Sequence, residues 1–214
     1  VYGWGLTGHT GATGQNMFLG VMFIALSAWA CGALLNADNR YPMISRLLAA
    51  WGWLWWVSAG FTAIDAFLPS NVSLHAGLVF VALTSALLPF VASKFKWPLL
   101  AKLSCLLLPI MALAALVDTF ESHPFAHFGL YSWVIAFAIY IWLLMRDHMP
   151  QRSILRAGLL WVAALVGVQE WQYQLGYSVV ESQVWRDIGW AIVPIIIVGG
   201  VLRWQKSNSH FTIS

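Results

Sequence analysis

The feature that most constrains this chain is a succession of apolar runs, each about as long as a bilayer is thick. Spanning the hydrocarbon core takes about 20 mostly apolar residues in helical conformation. Seven stretches meet or nearly meet that length, at 16–35, 47–68, 75–93, 98–117, 125–145, 154–171 and 188–204. The sixth ends in the polar group Gln169, Glu170, Gln172 and Gln174. Short loops between the runs favour antiparallel neighbours. The expected fold class is therefore all-α, a polytopic transmembrane bundle of about seven spans occupying 16–204. A glycine-rich outer segment (1–15) precedes it and a cytoplasmic tail (205–214) follows.

Composition leaves no soluble alternative. Of 214 residues, 60% are hydrophobic and 9% charged, against about 25% charged in an ordinary soluble domain. Fourteen tryptophans suit a chain whose helix ends meet lipid headgroups.

The basic residues orient the bundle. Arg40 and Arg46 separate the first two runs, and Lys94, Lys96 and Lys102 surround the junction of the third and fourth. Arg146, Arg152 and Arg156 surround the junction of the fifth and sixth, and Arg203 and Lys206 close the seventh. The alternate loops hold only Arg186, so ten of the eleven basic residues share one side. The positive-inside rule makes that side cytoplasmic, with the N-terminus out and the C-terminus in. The net charge of +3 is dispersed. A nucleic-acid partner, which needs a clustered basic face, is not expected. The expected partners are the lipid bilayer and further transmembrane helices of the same or another chain.

Proline, glycine and cysteine read as structural. Pro98, Pro124 and Pro150 sit at or beside helix starts, with Pro124 opening the fifth helix, His123 as its cap and His127 in its first turn. Pro89, Pro109 and Pro194 lie within spans, where they kink helices. Cys31 and Cys105 lie in apolar runs and read as packing residues. The glycines at 3, 5, 8, 11 and 14 precede no strand and fit no phosphate loop. No cofactor is expected. The run Trp51-Gly-Trp-Leu-Trp-Trp56 reads as an interfacial anchor.

No Asp, Glu, Lys, Arg or His falls near the middle of a run. Ion-coupled transport relies on ionisable groups at that depth, so a proton or sodium path wholly within this chain is not expected. A retinal Schiff base is excluded because the seventh run has no interior lysine. Acids and imidazoles gather instead at the expected outer face: Asp65, His75, Asp118, Glu121, His123, His127, Glu170, Glu181 and Asp187. The densest stretch runs from Asp118 to His127. Asp118, Glu121, His127 and Glu170 are the candidate catalytic residues, and His123, His127 and Glu121 the candidate metal ligands. The alternative is a polar loop whose acids lie near a helix N-terminus.

Two stretches carry a resemblance. One is Phe128-Gly-Leu-Tyr-Ser-Trp-Val-Ile-Ala-Phe-Ala-Ile-Tyr-Ile-Trp-Leu-Leu-Met-Arg-Asp147. The other runs from Leu155-Arg-Ala-Gly-Leu-Leu-Trp161 through Gln169-Glu-Trp171 to Trp185-Arg-Asp-Ile-Gly-Trp-Ala-Ile-Val-Pro194. This succession resembles a family of very large bacterial membrane proteins described only as predicted membrane proteins of unknown function. The resemblance covers roughly the last ninety residues and implies a segment of a longer array of spans. It brings no catalytic residues.

Three functions follow as expectations. The first is a non-catalytic segment of a larger inner-membrane protein, with a structural, envelope or transport-associated role. The second is a transporter or channel subunit, which would need partner helices to supply polar groups at mid-membrane depth. The third is a membrane-embedded enzyme using an outer-face Asp/Glu/His site.

Overall fold

The computed structural model describes the backbone at residues 12–38, 41–121, 124–126, 128–146, 151–177 and 183–209. Its helices are α1 (Ala12–Asp38), α2 (Pro42–Phe67), α3 (Ser70–Lys94), α4 (Pro98–Leu103), α5 (Leu107–Glu121), α6 (Gly129–Leu144), α7 (Arg152–Tyr177) and α8 (Gln183–Ser209). A 3-10 turn, Ser104–Leu106, joins α4 to α5. No strand occurs among the described residues.

Most boundaries follow from proline and apolar length. Pro42 and Pro98 occupy the first turns of α2 and α4, where a missing N–H leaves no helical bond unmade. Pro109 cannot donate to the carbonyl of Cys105, and its ring crowds that carbonyl. The tightened turn at Ser104–Leu106 spans this position and accounts for the break between α4 and α5.

One boundary departs from expectation. Pro124 does not open a helix. Residues 124–126 form a turn, the Gly129 N–H donates to the Ala126 carbonyl at 2.7 Å, and α6 starts at Gly129. Proline fixes only its own φ, which suits a turn as well as a first helical residue. The start of α6 thus lies beyond both His123 and His127 in sequence, and these two lie outside the described residues. At 16 residues α6 is about 24 Å long, short of the roughly 30 Å hydrocarbon core.

Five spans are long and apolar enough to cross a membrane: Phe18–Asp38, Pro42–Phe67, Ser70–Lys94, Pro98–Asp118 and Arg152–Leu175. Gly129–Leu144 and Ile188–Arg203 are apolar but shorter.

The packing is that of a membrane protein. Ala25, Ala49, Ala82, Ala115 and Ala136 are fully buried, while Phe23, Leu34, Met43, Met145 and Trp161 each expose 72–76% of their surface. Water would penalise large apolar groups facing outward. Lipid does not, and without a hydrophobic drive between helices, small residues let backbones approach closely.

The chain divides into two compact units. The first comprises Val1–Leu107 with Ser132–Pro150, and the second Leu108–Tyr131 with Gln151–Ser214.

In the first unit, α1 and α2 approach through a ring laid on a glycine. The Trp29 indole N–H donates to the Ala49 carbonyl at 3.2 Å, and the Ser45 hydroxyl donates to the Gly32 carbonyl at 2.9 Å. A Cβ on Gly52 would overlap Trp29 Cδ1 and stand 2.6 Å from its Nε1. Trp56 continues the contact to α3. Its ring lies 5.5 Å from Trp29 and 6.2 Å from Phe80, and its N–H donates to Thr84 Oγ1 at 3.2 Å. The tryptophan run of α2 thus does more than anchor. Trp51 is 51% exposed, as an anchor would be, but Trp53, Trp55 and Trp56 are half-buried, and Trp53 packs on the core around Trp97. Phe90 of α3 stacks on Trp142 of α6, with the Arg146 guanidinium 4.4 Å above the Trp142 ring.

The second unit repeats the device. A Cβ on Gly189 of α8 would overlap Cδ1 of Trp171 on α7, and one on Gly167 would stand 2.9 Å from Val193 Cγ1.

Candidate functional site

Among the described residues, the acids and imidazoles expected at one face fall into two groups, each inside its own unit. In the first unit, Asp65 lies exposed near the end of α2. His75, in the second turn of α3, is buried and pairs with Ser132 of α6, whose Oγ lies 3.3 Å from Nδ1. A polar group buried among apolar helices needs such a partner, since an unmade hydrogen bond there costs far more than at a surface. His75 and Ser132 therefore read as a tie between α3 and α6, and an isolated histidine near a helix start gave no hint of it.

In the second unit the polar residues come from α5 and α7. Asp118 is 1% exposed on the last turn of α5. Gln169, also buried, donates from Nε2 to the Ala115 carbonyl at 2.7 Å. Ala115 and Asp118 are three residues apart, so they share a face of α5. The bond from α7 thus arrives one turn below the Asp118 carboxyl. Glu170 follows Gln169 in sequence and is turned about 100° away from it around α7, since neighbouring residues on a helix do not share a face. It is half-buried and accepts a hydrogen bond along its own helix, from Gln174 Nε2 at 2.6 Å.

Of the residues expected to carry chemistry, Asp118 and Glu170 are placed with their side chains. Glu121 is the last residue of α5, and its side chain lies outside the described residues, as do His123 and His127. Among the described residues, no group of three His, Cys, Asp or Glu is arranged to hold a metal ion.

Sequence reasoning missed Gln169 as a contact residue. It read only as part of the polar tail of the sixth run, and α7 in fact continues six residues beyond Trp171, to Tyr177. A glutamine inside an apolar stretch facing a neighbouring helix is the available signal.

The model of a protein family described as Predicted membrane protein (DUF2339) matches residues 6–213, nearly the whole chain. Comparison with curated proteins and with solved structures finds no match.

Proposed function

We propose, for a chain that belongs to this family of predicted membrane proteins, a non-catalytic role as a helical membrane scaffold. In this reading it crosses the bilayer seven times, N-terminus out and C-terminus in. It forms a structural, envelope or transport-associated part of a larger bacterial inner-membrane protein. The observation that carries the reading is a set of four polar contacts between helices. Gln169 binds the α5 backbone, Ser45 the α1 backbone, Trp56 reaches Thr84 on α3, and His75 meets Ser132. Each links one helix to another. The family resemblance supports the larger assembly, and the alternation of basic residues supports the seven spans.

Asp118 belongs to the same reading, buried one turn from the carbonyl that Gln169 ties to α7. The test is stability. Gln169→Leu keeps the side-chain volume and removes the bond to Ala115, so it should lower stability by about 1 kcal/mol, the scale of an interhelical hydrogen bond in a membrane. Ser93→Ala, at an exposed residue whose hydroxyl donates within α3 to the Phe90 carbonyl, should change it by less than about 0.5 kcal/mol. Reversible unfolding in mixed micelles measures both. Unchanged stability in Gln169→Leu would remove the main support for the scaffold reading.

A further inference from the structure

A cavity of about 350 Å³ opens at the basic end of the first unit. Its walls come from the end of α1, the start of α2 and the α3–α4 connection. Asn36, Ser45, Arg46, Trp97, Pro98 and Lys102 line it, and among the described residues no carboxylate does. We infer that this cavity is a binding site for the phosphate of an anionic lipid headgroup, held between Arg46 and Lys102.

Three features favour that ligand. The first is charge. Two cations share one cavity, and among the described residues neither has a hydrogen-bonding or ion-pairing partner. Their mutual repulsion is relieved by an anion. A guanidinium presents a planar fork that matches two phosphate oxygens, and an ammonium adds a point charge.

The second is rigidity. The floor is Trp97, whose backbone N–H donates to the Ala92 carbonyl at 2.9 Å and whose ring rests on Gly32. The Asn36 amide donates to the Lys96 carbonyl at 3.3 Å, tying the end of α1 to the same connection. The cavity is thus shaped before any ligand arrives, which lowers the cost of binding.

The third is size and depth. At about 350 Å³ the cavity is far larger than a single water or small ion needs. A glycerophosphate fits. Helix ends carrying basic residues lie at headgroup level in a spanning bundle, and basic pockets between transmembrane helices there suit anionic headgroups. This last point rests on the membrane-spanning reading above.

The experiment is a native mass spectrometry titration of the detergent-purified full chain with dioleoyl phosphatidylglycerol, with dioleoyl phosphatidylcholine as the neutral reference. The wild type should take up a first phosphatidylglycerol in preference to phosphatidylcholine. In R46A/K102A that affinity should fall about thirtyfold, from two basic contacts, with phosphatidylcholine binding unchanged. Both side chains are exposed, so truncation leaves no internal void. R156A/R203A, which removes two exposed cations elsewhere, should bind like the wild type. Glycerol 1-phosphate forms a second arm. Weak binding of it assigns the site to lipid, whereas binding as tight as phosphatidylglycerol, lost in R46A/K102A, keeps the phosphate chemistry but assigns a soluble source.

Equal phosphatidylglycerol binding by the wild type and R46A/K102A, or no preference over phosphatidylcholine, would overturn the inference. Carbonate extraction of the membranes scores insertion separately. A chain that resists extraction yet shows no preference defeats the lipid site and leaves the spanning reading intact.

Discussion

Replacing Trp97 by alanine should destabilise the protein by about 3 kcal/mol, at the lower end of the range for truncating a buried aromatic. Trp97 sits in the connection between α3 and α4, yet it is only 2% exposed. Its indole closes a core of Ala49, Leu88, Ala92, Leu100 and Ala101, with Ala33, Trp53, Leu99 and Leu103 packed around it. Small side chains on fixed helices cannot swing in to fill the space an indole leaves, so most of the cavity term persists. The transfer term is smaller than in a soluble core, because unfolded helices in lipid still surround the ring with apolar groups. That places the cost near 3 rather than 5 kcal/mol. Trp97→Phe keeps much of the ring and should lose about 1 kcal/mol. Reversible unfolding in mixed micelles reads both. A loss well under 1 kcal/mol in Trp97→Ala would mean that the indole does not close this core.

Gly52→Ala should cost about 2–3 kcal/mol, a large effect for one methyl group. The added carbon would overlap Trp29 Cδ1, stand 2.6 Å from Nε1, and lie 3.1 Å from the Ala25 carbonyl oxygen. With backbone on one side and a ring on the other, the ring must move. Moving it strains the hydrogen bond to Ala49 and the contact with Trp56. Overpacking against backbone and ring costs about 2–3 kcal/mol and the lost bond about 1 more, offset by about 1 kcal/mol that alanine gains over glycine within a helix. Gly20 supplies the contrast. Nothing lies within 4 Å of its would-be Cβ, so Gly20→Ala should be neutral or stabilising by up to about 1 kcal/mol. Adding Trp29→Ala to Gly52→Ala should remove most of the extra cost, because the two residues act through one contact. Equal effects from Gly52→Ala and Gly20→Ala would contradict the close approach of α1 and α2.

What the sequence conveys and what it hides have different physical origins. Span length and charge position are one-dimensional, so helices near 16–35, 47–68 and 75–93 could be read directly. Helices α1 and α3 extend beyond both ends of their stretches, while α2 starts five residues earlier and ends one residue earlier, at Phe67. Proline's meaning depends on its surroundings. Pro42 and Pro98 start helices and Pro124 starts a turn, though all three restrict φ alike. Burial is the least legible property. Trp97 stands between Lys96 and Pro98 and looks interfacial, while Trp56 belongs to a run that looks like an anchor. Both are packed against neighbouring helices. A helix apolar on all sides has no stripe to show which face its neighbour covers.

The candidate site shows the same limit. Asp118 stands out in the sequence as part of an acidic and histidine-rich stretch. Its burial and the Gln169 bond one turn away depend on how α7 lies against α5. The span pattern carries no trace of that arrangement.

Reporter fusions along the chain test whether it crosses the membrane seven times. Alkaline phosphatase, active only outside the cytoplasm, would be fused after Asn71, Ser122 and Val180, and after Asn39, Lys96, His148 and Asn208. The account predicts activity at the first three positions and none at the other four. Activity at His148 would mean that α6 does not cross the membrane, and none at Ser122 that the α4–α5 stretch does not; either would contradict seven spans.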